Sequence, residues 1–308
     1  MLYPNNKIKE GQEHLYETGG LDLNSLKSNG YFVSIKRDGV RAELGNGRLK
    51  TRALKPFPNE HLPEYFEELL DLTEGNNIIL EGELYSPSTS FDVLSGILRS
   101  KDKDLPEDLE FYCFDILDNT VTGTQVPFSL RYQRYRGISA TNYVSVEHYY
   151  LTVTSIGRYY QTAISQGYEG IILRNPSSMY KLGRVTHTDN IAYKMKETNS
   201  YDCTILGYEP EYTNTSESYI NELGYKQKHK RKADRVPLER LGAIIADYQG
   251  QRLKVMPAMT QEEAEYFWKI KEAFIGNTIE VKGTESSKGR LRHPVLVRVR
   301  GVEDKDES

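Results

Sequence analysis

The sequence predicts an α+β chain in two parts, a mixed domain followed by a small β-barrel. Strand-like apolar runs at 41–44, 78–85 and 111–117 are separated by a helical segment at 61–70, and no helix regularly follows each strand. That spacing argues against a doubly wound parallel sheet. After Lys196 the pattern changes to short strands at 202–208, 241–248, 252–256, 278–282 and 295–300, with one helix at 261–274. Five short strands in so few residues predict a barrel. No internal repeat competes with this division.

Composition narrows the class. The 308 residues are 38% hydrophobic and contain no run long and apolar enough to span a bilayer, so the expectation is two packed domains and no membrane. The start of the chain, Met1-Leu2-Tyr3-Pro4-Asn5-Asn6-Lys7, lacks an apolar signal segment. The two cysteines, Cys113 and Cys203, are far apart in sequence, so a reducing cytoplasm is expected. A net charge of −4 excludes general attraction of the whole surface to nucleic acid and leaves local patches. The densest is Lys226, Lys228, Lys230, Arg231, Lys232 and Arg235, whose lack of apolar periodicity predicts a loop between barrel strands. The 23 tyrosines suit stacking on bases and sugars or, more commonly, core filling.

In chain order, residues 7–28 are polar and read as a weak helix and loop. Tyr31-Phe32-Val33 is β-prone and runs into Ser34-Ile35-Lys36-Arg37-Asp38-Gly39-Val40-Arg41, with a turn at Gly39. This places Lys36 at a strand end with its amine facing a cleft. A lysine amine attacks phosphorus or carbonyl only when neutral, so the site must lower its pKa with neighbouring cations, a metal or burial. In Leu80-Glu81-Gly82-Glu83-Leu84 the two acids share one strand face, either solvated or functional, and the glycine permits close approach. Asp115, within apolar Phe111-Tyr112-Cys113-Phe114-Asp115-Ile116-Leu117, must be paired or at the strand's end. Phe114 is a core residue or a stacking platform. A helix at 155–165 carries Ile156, Tyr159, Tyr160 and Ala163 on a face that covers the sheet. Glu169 precedes the buried run Gly170-Ile171-Ile172-Leu173-Arg174, and Tyr193-Lys194-Met195-Lys196 projects two amines to one side. Two like charges so placed are costly unless anions meet them. A lysine nucleophile, further lysines, carboxylates for a divalent metal and an aromatic platform suit nucleotidyl transfer, in which Lys, Arg and Mg²⁺ meet the charge on pentavalent phosphorus.

Lys36-x-Asp38-Gly39-x-Arg41, Glu83, Phe114-Asp115, Glu169-Gly170 and Lys194-x-Lys196 resemble, in order, the successive motifs of the covalent nucleotidyltransferases, the ATP-dependent DNA ligases and mRNA capping enzymes. Ser95-Gly96-Ile97-Leu98-Arg99, Tyr180-Lys181-x-Gly183-Arg184 and Leu291-Arg292-His293-Pro294 with Arg300-Gly301 are similar to the small DNA ligases of tailed bacteriophages. The resemblance implies an antiparallel-sheet adenylation domain over residues 1–198, an OB-fold over 199–308 and a hinge near 196–201. It implies that Lys36 takes AMP from ATP and that the AMP then passes to the 5′-phosphate of a nick in duplex DNA, where the 3′-hydroxyl displaces it. Arg41 would contact ribose and nick phosphate, Glu83 the ribose hydroxyl, and Phe114 the adenine. Glu169 and Glu83 would hold Mg²⁺, and Lys194 and Lys196 would neutralise the α-phosphate. Asp38 would assist at the 3′ end and Arg52 would meet the 5′-phosphate. Lys228, Lys230, Arg231 and Lys232 would contact phosphates on the duplex.

Two departures matter. The family's terminal Arg-x-Asp-Lys reads here Arg300-Gly301-Val302-Glu303-Asp304-Lys305, which leaves Arg298, Arg300 and Lys305 as candidates to orient pyrophosphate. Ser34 stands where some phage relatives carry Glu, so adenine selection would rest on its hydroxyl or on backbone groups, with Ile35 beside it. Without zinc cysteines or added domains, the resemblance implies a minimal monomeric enzyme, in a bacterial host's cytoplasm if phage-encoded. The alternatives are an mRNA guanylyltransferase and a non-catalytic OB-fold nucleic-acid-binding protein. The combination of Lys36 with Lys194 and Lys196 argues against the latter.

Overall fold

The computed structural model describes residues 21–118, 123–183, 185–197, 199–221, 224–229, 231–285 and 289–300. They fall into two compact units that part between Lys196 and Glu197.

The first unit holds strands β1 (Gly30–Lys36), β2 (Val40–Gly45) and β3 (Arg48–Thr51), and helices α1 (Leu62–Tyr65) and α2 (Glu67–Gly75). There follow β4 (Ile78–Tyr85), α3 (Phe91–Leu98), β5 (Glu110–Asp118), α4 (Phe128–Arg136), β6 (Tyr143–Ser145), β7 (Tyr149–Thr152) and α5 (Val153–Ser165). Strands β8 (Gly170–Arg174) and β9 (Ala192–Lys196) end it. One sheet has the order β7-β1-β8-β9, antiparallel throughout. The other runs β3-β2-β4-β5-β6, antiparallel except for the β5–β6 pair.

Side-chain alternation decides which face of each sheet is core. On β1, Tyr31 and Val33 point to one side, where they meet Ile171, Leu173, Tyr193 and Met195 from β8 and β9. Helix α5 covers that face with Ile156, Tyr160 and Ala163, all buried. Burying a large apolar side chain is worth roughly 1.5–3 kcal/mol, so this layer fixes the register of β1, β8 and β9. The opposite face, bearing Ser34 and Lys36, is left for chemistry. The second sheet buries Ala42, Leu44, Leu80, Leu84 and Phe111 under α1–α4.

The second unit comprises β10 (Asn199–Asn214), β11 (Ser218–Ile220), β12 (Lys226–Lys228), β13 (Arg235–Tyr248), β14 (Gln251–Val255), α6 (Gln261–Ile270), β15 (Thr278–Glu285) and β16 (Leu291–Val299). Its main sheet is antiparallel, with the order β14-β13-β10-β15-β16. Met256, just beyond β14, bridges Val295 of β16 in parallel: Met256 N–H donates to Pro294 O at 2.9 Å, and Leu296 N–H to Met256 O at 2.9 Å. Those bonds join the two outer strands and close the sheet on itself around Ile205, Ile244, Val255, Ile279 and Val281. Helix α6 is capped by Thr260 and Glu263, each side chain serving the other's backbone N–H.

Several expectations are corrected. The helix expected over 61–70 is broken at Phe66, whose ring is buried and whose backbone (φ −113°, ψ 23°) leaves the helical region, giving α1 and α2. The helix expected over 261–274 is α6 followed by a 3₁₀ turn at Lys271–Phe274. The barrel strands are not all short: β10 and β13 run 16 and 14 residues. Their far halves pair with register shifts near Gly207, Pro210 and Tyr212, and largely lack the buried face that gives alternation its signal. Residues 226–228, expected as loop, form β12 against β11, and that hairpin buries no apolar face that composition could reveal. Of the weak helix expected at 7–28, residues 7–20 lie outside the described residues, and 21–28 hold one 3₁₀ turn, Leu23–Ser25. No helix among the described residues is long and apolar enough to cross a membrane.

Candidate active site

The site belongs to the first unit and begins at the end of β1. Cα partners across the sheet are Lys36, Gly170 and Lys196 in one row, and Ser34, Ile172 and Lys194 in the next. Partners share a face in an antiparallel sheet, so Lys36, Lys194 and Lys196 project together away from the α5 core. Gly170 has φ +154°, and a Cβ there would collide with the Met195 carbonyl oxygen, so only glycine lets β8 start beside β9 with Glu169 turned into the cleft. Gly39 is as constrained: a Cβ would stand 2.8 Å from Leu84 O and 3.1 Å from Glu83 Cβ. The tight turn of the Lys-x-Asp-Gly stretch therefore packs directly on the strand that carries Glu83.

Lys36 forms an ion pair with Glu169, and Lys196 lies 3.9 Å from the same carboxylate. Thus the nucleophile candidate's direct partner is an acid, with a second lysine beside it, where neighbouring cations, a metal or burial were expected. The anion needed beside the paired lysines is supplied in part by Glu169. Burial pushes the Glu83 carboxyl up to about 7; Lys36 opposes the rise and the negative charge of Glu169 adds to it. Glu81, on the same strand face, is differently employed. Its carboxylate takes an ion pair from Arg41 at 2.9 Å and a hydrogen bond from the Tyr180 hydroxyl at 2.6 Å.

Phe114 is positioned by a β-bulge. Glu81 pairs with Asp115 and Gly82 with Cys113, so Phe114 has no partner on β4 and its ring is turned into the pocket wall. The guanidinium groups of Arg41 and Arg174 lie 5.0 and 5.2 Å from the ring centroid. Asp115 is fully buried and paired, as the cost of an isolated carboxylate requires. Arg131 donates to it through Nε at 2.7 Å and Nη2 at 3.1 Å, and Arg174 through Nη1 at 2.8 Å. The resulting pocket, about 120 Å³, is walled by Ser34, Ile35 and Lys36 on one side, Glu83, Tyr112 and Phe114 on another, and Ile172 and Arg174 on a third. Arg37, Arg41, Val146 and His148 also line it.

The other expected residues are more dispersed. Asp38 is exposed in the turn between β1 and β2, and Arg52 is exposed just after β3. In the second unit Lys228 donates to Asn214 O at 2.6 Å, and Arg231 and Lys232 are exposed at a 3₁₀ turn. Arg298 pairs with Glu280 and Arg300 with Asp202, each at 2.7 Å, so two of the three pyrophosphate candidates hold carboxylates of their own unit. Lys230, Arg184, Gly301 and Lys305 lie outside the described residues. A wider depression of about 530 Å³ is lined by Tyr180, Lys181, Leu182, Asp189 and neighbours, but it holds none of the expected catalytic groups.

Sequence reading missed Arg37, Tyr112, Tyr180 and His148 as parts of the site. Arg37 lies over the Tyr112 ring at 4.2 Å, and its position inside the Lys-x-Asp-Gly stretch was a usable signal. His148, in Val146-Glu147-His148-Tyr149, carried none.

The pattern of an ATP dependent DNA ligase domain matches residues 19–196, the part that builds this pocket. Among characterised sequences, a DNA ligase of Haemophilus influenzae is 26% identical over 192 residues, covering 60% of this chain and 65% of that protein. A DNA ligase of Methanococcus aeolicus is 27% identical over 181 residues, covering 53% of this chain and 31% of that one. The matches thus span less than two thirds of these relatives. The fold is shared with solved structures: a Lig E DNA ligase at TM-score 0.61 and 20% identity, covering 88% of this chain and 92% of that chain. Another, Pmar-Lig_PreS3, has TM-score 0.67 and 18% identity over 90% of this chain and 65% of that chain. With a family match over residues 19–196, more than half its length, the chain belongs to the ATP-dependent DNA ligase domain family.

Proposed function

We propose that this protein is an ATP-dependent DNA ligase that seals 5′-phosphate/3′-hydroxyl breaks in duplex DNA. The observation that carries the reading is the single face on which Lys36, Lys194 and Lys196 stand beside Glu169 and a pocket walled by Phe114 and Ile172. In the first step the Lys36 amine attacks the α-phosphorus of ATP, a P–N bond forms, the α–β P–O bond breaks and pyrophosphate leaves. Attack requires the neutral amine, and Glu169, which accepts its hydrogen bond, is the nearest base. Phe114 and Ile172 face the base, Arg41 and Glu83 the ribose, and Lys194 and Lys196 neutralise the α-phosphate. In the second step an oxygen of the nick's 5′-phosphate attacks the same phosphorus and frees Lys36. The 3′-hydroxyl, assisted by Asp38, then displaces AMP, with Arg52 on the 5′-phosphate.

The donor set suits Mg²⁺, which takes one or two carboxylates plus substrate phosphates. Glu169 and Glu83 lie close enough for the charge of one to raise the pKa of the other, and no cluster of three or more potential ligands occurs among the described residues. Bound there, the ion would supply charge neutralisation at the phosphates. We read the second unit as an OB-fold. Its strands close in the order β10-β13-β14-β16-β15 with α6 between β14 and β15, which supports that reading. The hairpin β11–β12 and its following turn, with Lys228, Arg231 and Lys232, would contact duplex phosphates, and Lys230 belongs to the same basic stretch.

The test is incubation with α-labelled ATP and Mg²⁺ followed by denaturing electrophoresis. Acid-labile label on Lys36 is expected. Transfer of GMP instead would favour a guanylyltransferase, and no covalent label from either nucleotide would overturn nucleotidyl transfer.

A further inference from the structure

His148 closes the inner end of the pocket. Along β1 the cleft-facing residues run inward as Lys36, Ser34 and Phe32, and the Phe32 ring meets the His148 ring edge-on at 6.4 Å. The imidazole is 6% exposed, and Phe128, Tyr132 and Tyr135 also pack against it. Its Nδ1 lies 3.0 Å from both Val146 O and the Tyr135 hydroxyl; the carbonyl can only accept, and the hydroxyl can donate to that same carbonyl at 3.4 Å, so we assign the proton to Nδ1 and a lone pair to Nε2. Burial, reinforced by the nearby Arg174 cation, pushes His148 down to about 3, so the ring is neutral at physiological pH.

Among the described residues Nε2 meets no donor, and Nε of Arg174, on the same pocket, meets no acceptor. Asp115 holds that guanidinium through Nη1, so Arg174 cannot swing away to find another partner for Nε without breaking the pair. Buried polar groups left unpaired are costly, and two of opposite sense on one small pocket fit a ligand that presents a donor beside an acceptor.

Resting on the ATP-ligase reading, we propose that His148 Nε2 accepts a hydrogen bond from the 6-amino group of adenine and thereby selects adenine over guanine. With Phe114 and Ile172 on the ring faces and Glu83 and Lys36 toward the mouth, the edge remote from the sugar meets His148 and Arg174. Adenine offers an N–H donor there beside a ring-nitrogen acceptor. Guanine offers a carbonyl acceptor and a ring N–H donor, so acceptor would face acceptor and donor would face donor. Base selection therefore rests on a side chain from the β6–β7 connection, in addition to Ser34 and the backbone of β1.

The experiment measures the rate of Lys36 labelling in the full chain with α-labelled ATP, GTP and purine riboside triphosphate, which lacks the 6-amino group. The wild type is expected to label from ATP about tenfold faster than from the 6-desamino analogue, as for the removal of one hydrogen bond. His148→Phe should label from both within about twofold. His148→Gln, which keeps a carbonyl acceptor, should retain part of the preference. A role in packing alone would slow all three nucleotides alike and leave the ratios unchanged. The assignment is overturned if wild type does not distinguish ATP from the analogue, or if folded His148→Phe keeps the wild-type ratio. Should melting show that His148→Phe does not fold, the wild-type ratio and His148→Gln decide, full analogue tolerance by wild type overturning the proposal. Failure of the wild type to take label from any nucleotide would overturn the ligase reading itself, and this inference with it.

Discussion

Lys36 and Glu169 form an ion pair within the cleft, and Lys196 approaches the same carboxylate from the neighbouring strand at 3.9 Å. One acid thus sits between the candidate nucleophile and a second cation. An incoming triphosphate would compete for both cations, and Glu169 would then be free to serve a metal or accept the amine's proton.

Lys36→Ala should eliminate covalent AMP, because the other lysines described on this face, Lys194 and Lys196, stand on β9 and not at the end of β1. A nick already carrying 5′-AMP should still be sealed by the variant, since that step needs no lysyl adduct. Acid-labile label retained by Lys36→Ala would show that the nucleophile is elsewhere.

Glu169→Ala should slow Lys36 labelling on the order of 10²- to 10³-fold, the loss found when a preorganised electrostatic group is removed. The dependence of rate on Mg²⁺ concentration should change with it. An unaltered Mg²⁺ titration would reduce Glu169 to a partner that merely holds Lys36 in position.

Much of the site was legible because its residues obey strong local rules. Strand β4 is bounded as its alternation implies, with Leu80 and Leu84 inside and Glu81 and Glu83 on the opposite face. The cost of burying a lone carboxylate left Asp115 either paired or at the strand's end, and it is paired. Other features depended on contacts distant in sequence. Whether Phe114 is core or platform is decided by a bulge, and a bulge is a property of the β4–β5 register that neither strand shows alone. The orphaned Nε2 of His148 arises from an aromatic cage built by residues 32, 128, 132 and 135, over a hundred positions across the chain. The outer halves of β10 and β13 gave no signal because backbone pairing without a buried face imposes no pattern on side chains.

Asp115→Asn should destabilise the protein by about 3–5 kcal/mol, the usual result of removing one partner from a buried ion pair. Asp115 is wholly buried and Arg131 is 2% exposed, so neither solvent nor another carboxylate is at hand to compensate. Denaturant unfolding at neutral pH measures the loss. A change below about 1 kcal/mol would mean that Arg131 and Arg174 are satisfied without the charge.

Glu83 predicts a specific pH dependence. Its folded pKa, about 7, lies above the ordinary 4.5, so between those values the folded state binds more protons than the unfolded one. Stability should therefore fall as pH rises from 4.5 through 7 and then level off, with a ceiling of about 3 kcal/mol for this group. Glu83→Gln lacks the titration, so its melting temperature relative to wild type should be higher at pH 8 than at pH 5. A difference that is the same at both pH values would remove burial of the charged carboxylate as the cause.

The hairpin β11–β12 and the turn after it concentrate Lys226, Lys228, Arg231 and Lys232 on a chain whose net charge is −4. Lys228 already donates to Asn214 O, which a purely structural reading would take as its whole role. That bond uses one of three ammonium donors, however, and a neutral carbonyl does not cancel the charge. The aromatic pair Tyr219–His229, stacked at 4.8 Å, stiffens the same hairpin. Neutralising Lys228, Arg231 and Lys232 together, with Lys230 from the same stretch, should leave Lys36 labelling nearly unchanged, because the residues described as lining the pocket at Lys36 belong to the other unit. Binding to nicked duplex should weaken, and the plot of log affinity against log salt should become shallower by roughly 0.9 for each phosphate that the protein no longer neutralises. If the salt slope and nick sealing both match wild type, these cations are a solvated surface and the duplex is held elsewhere.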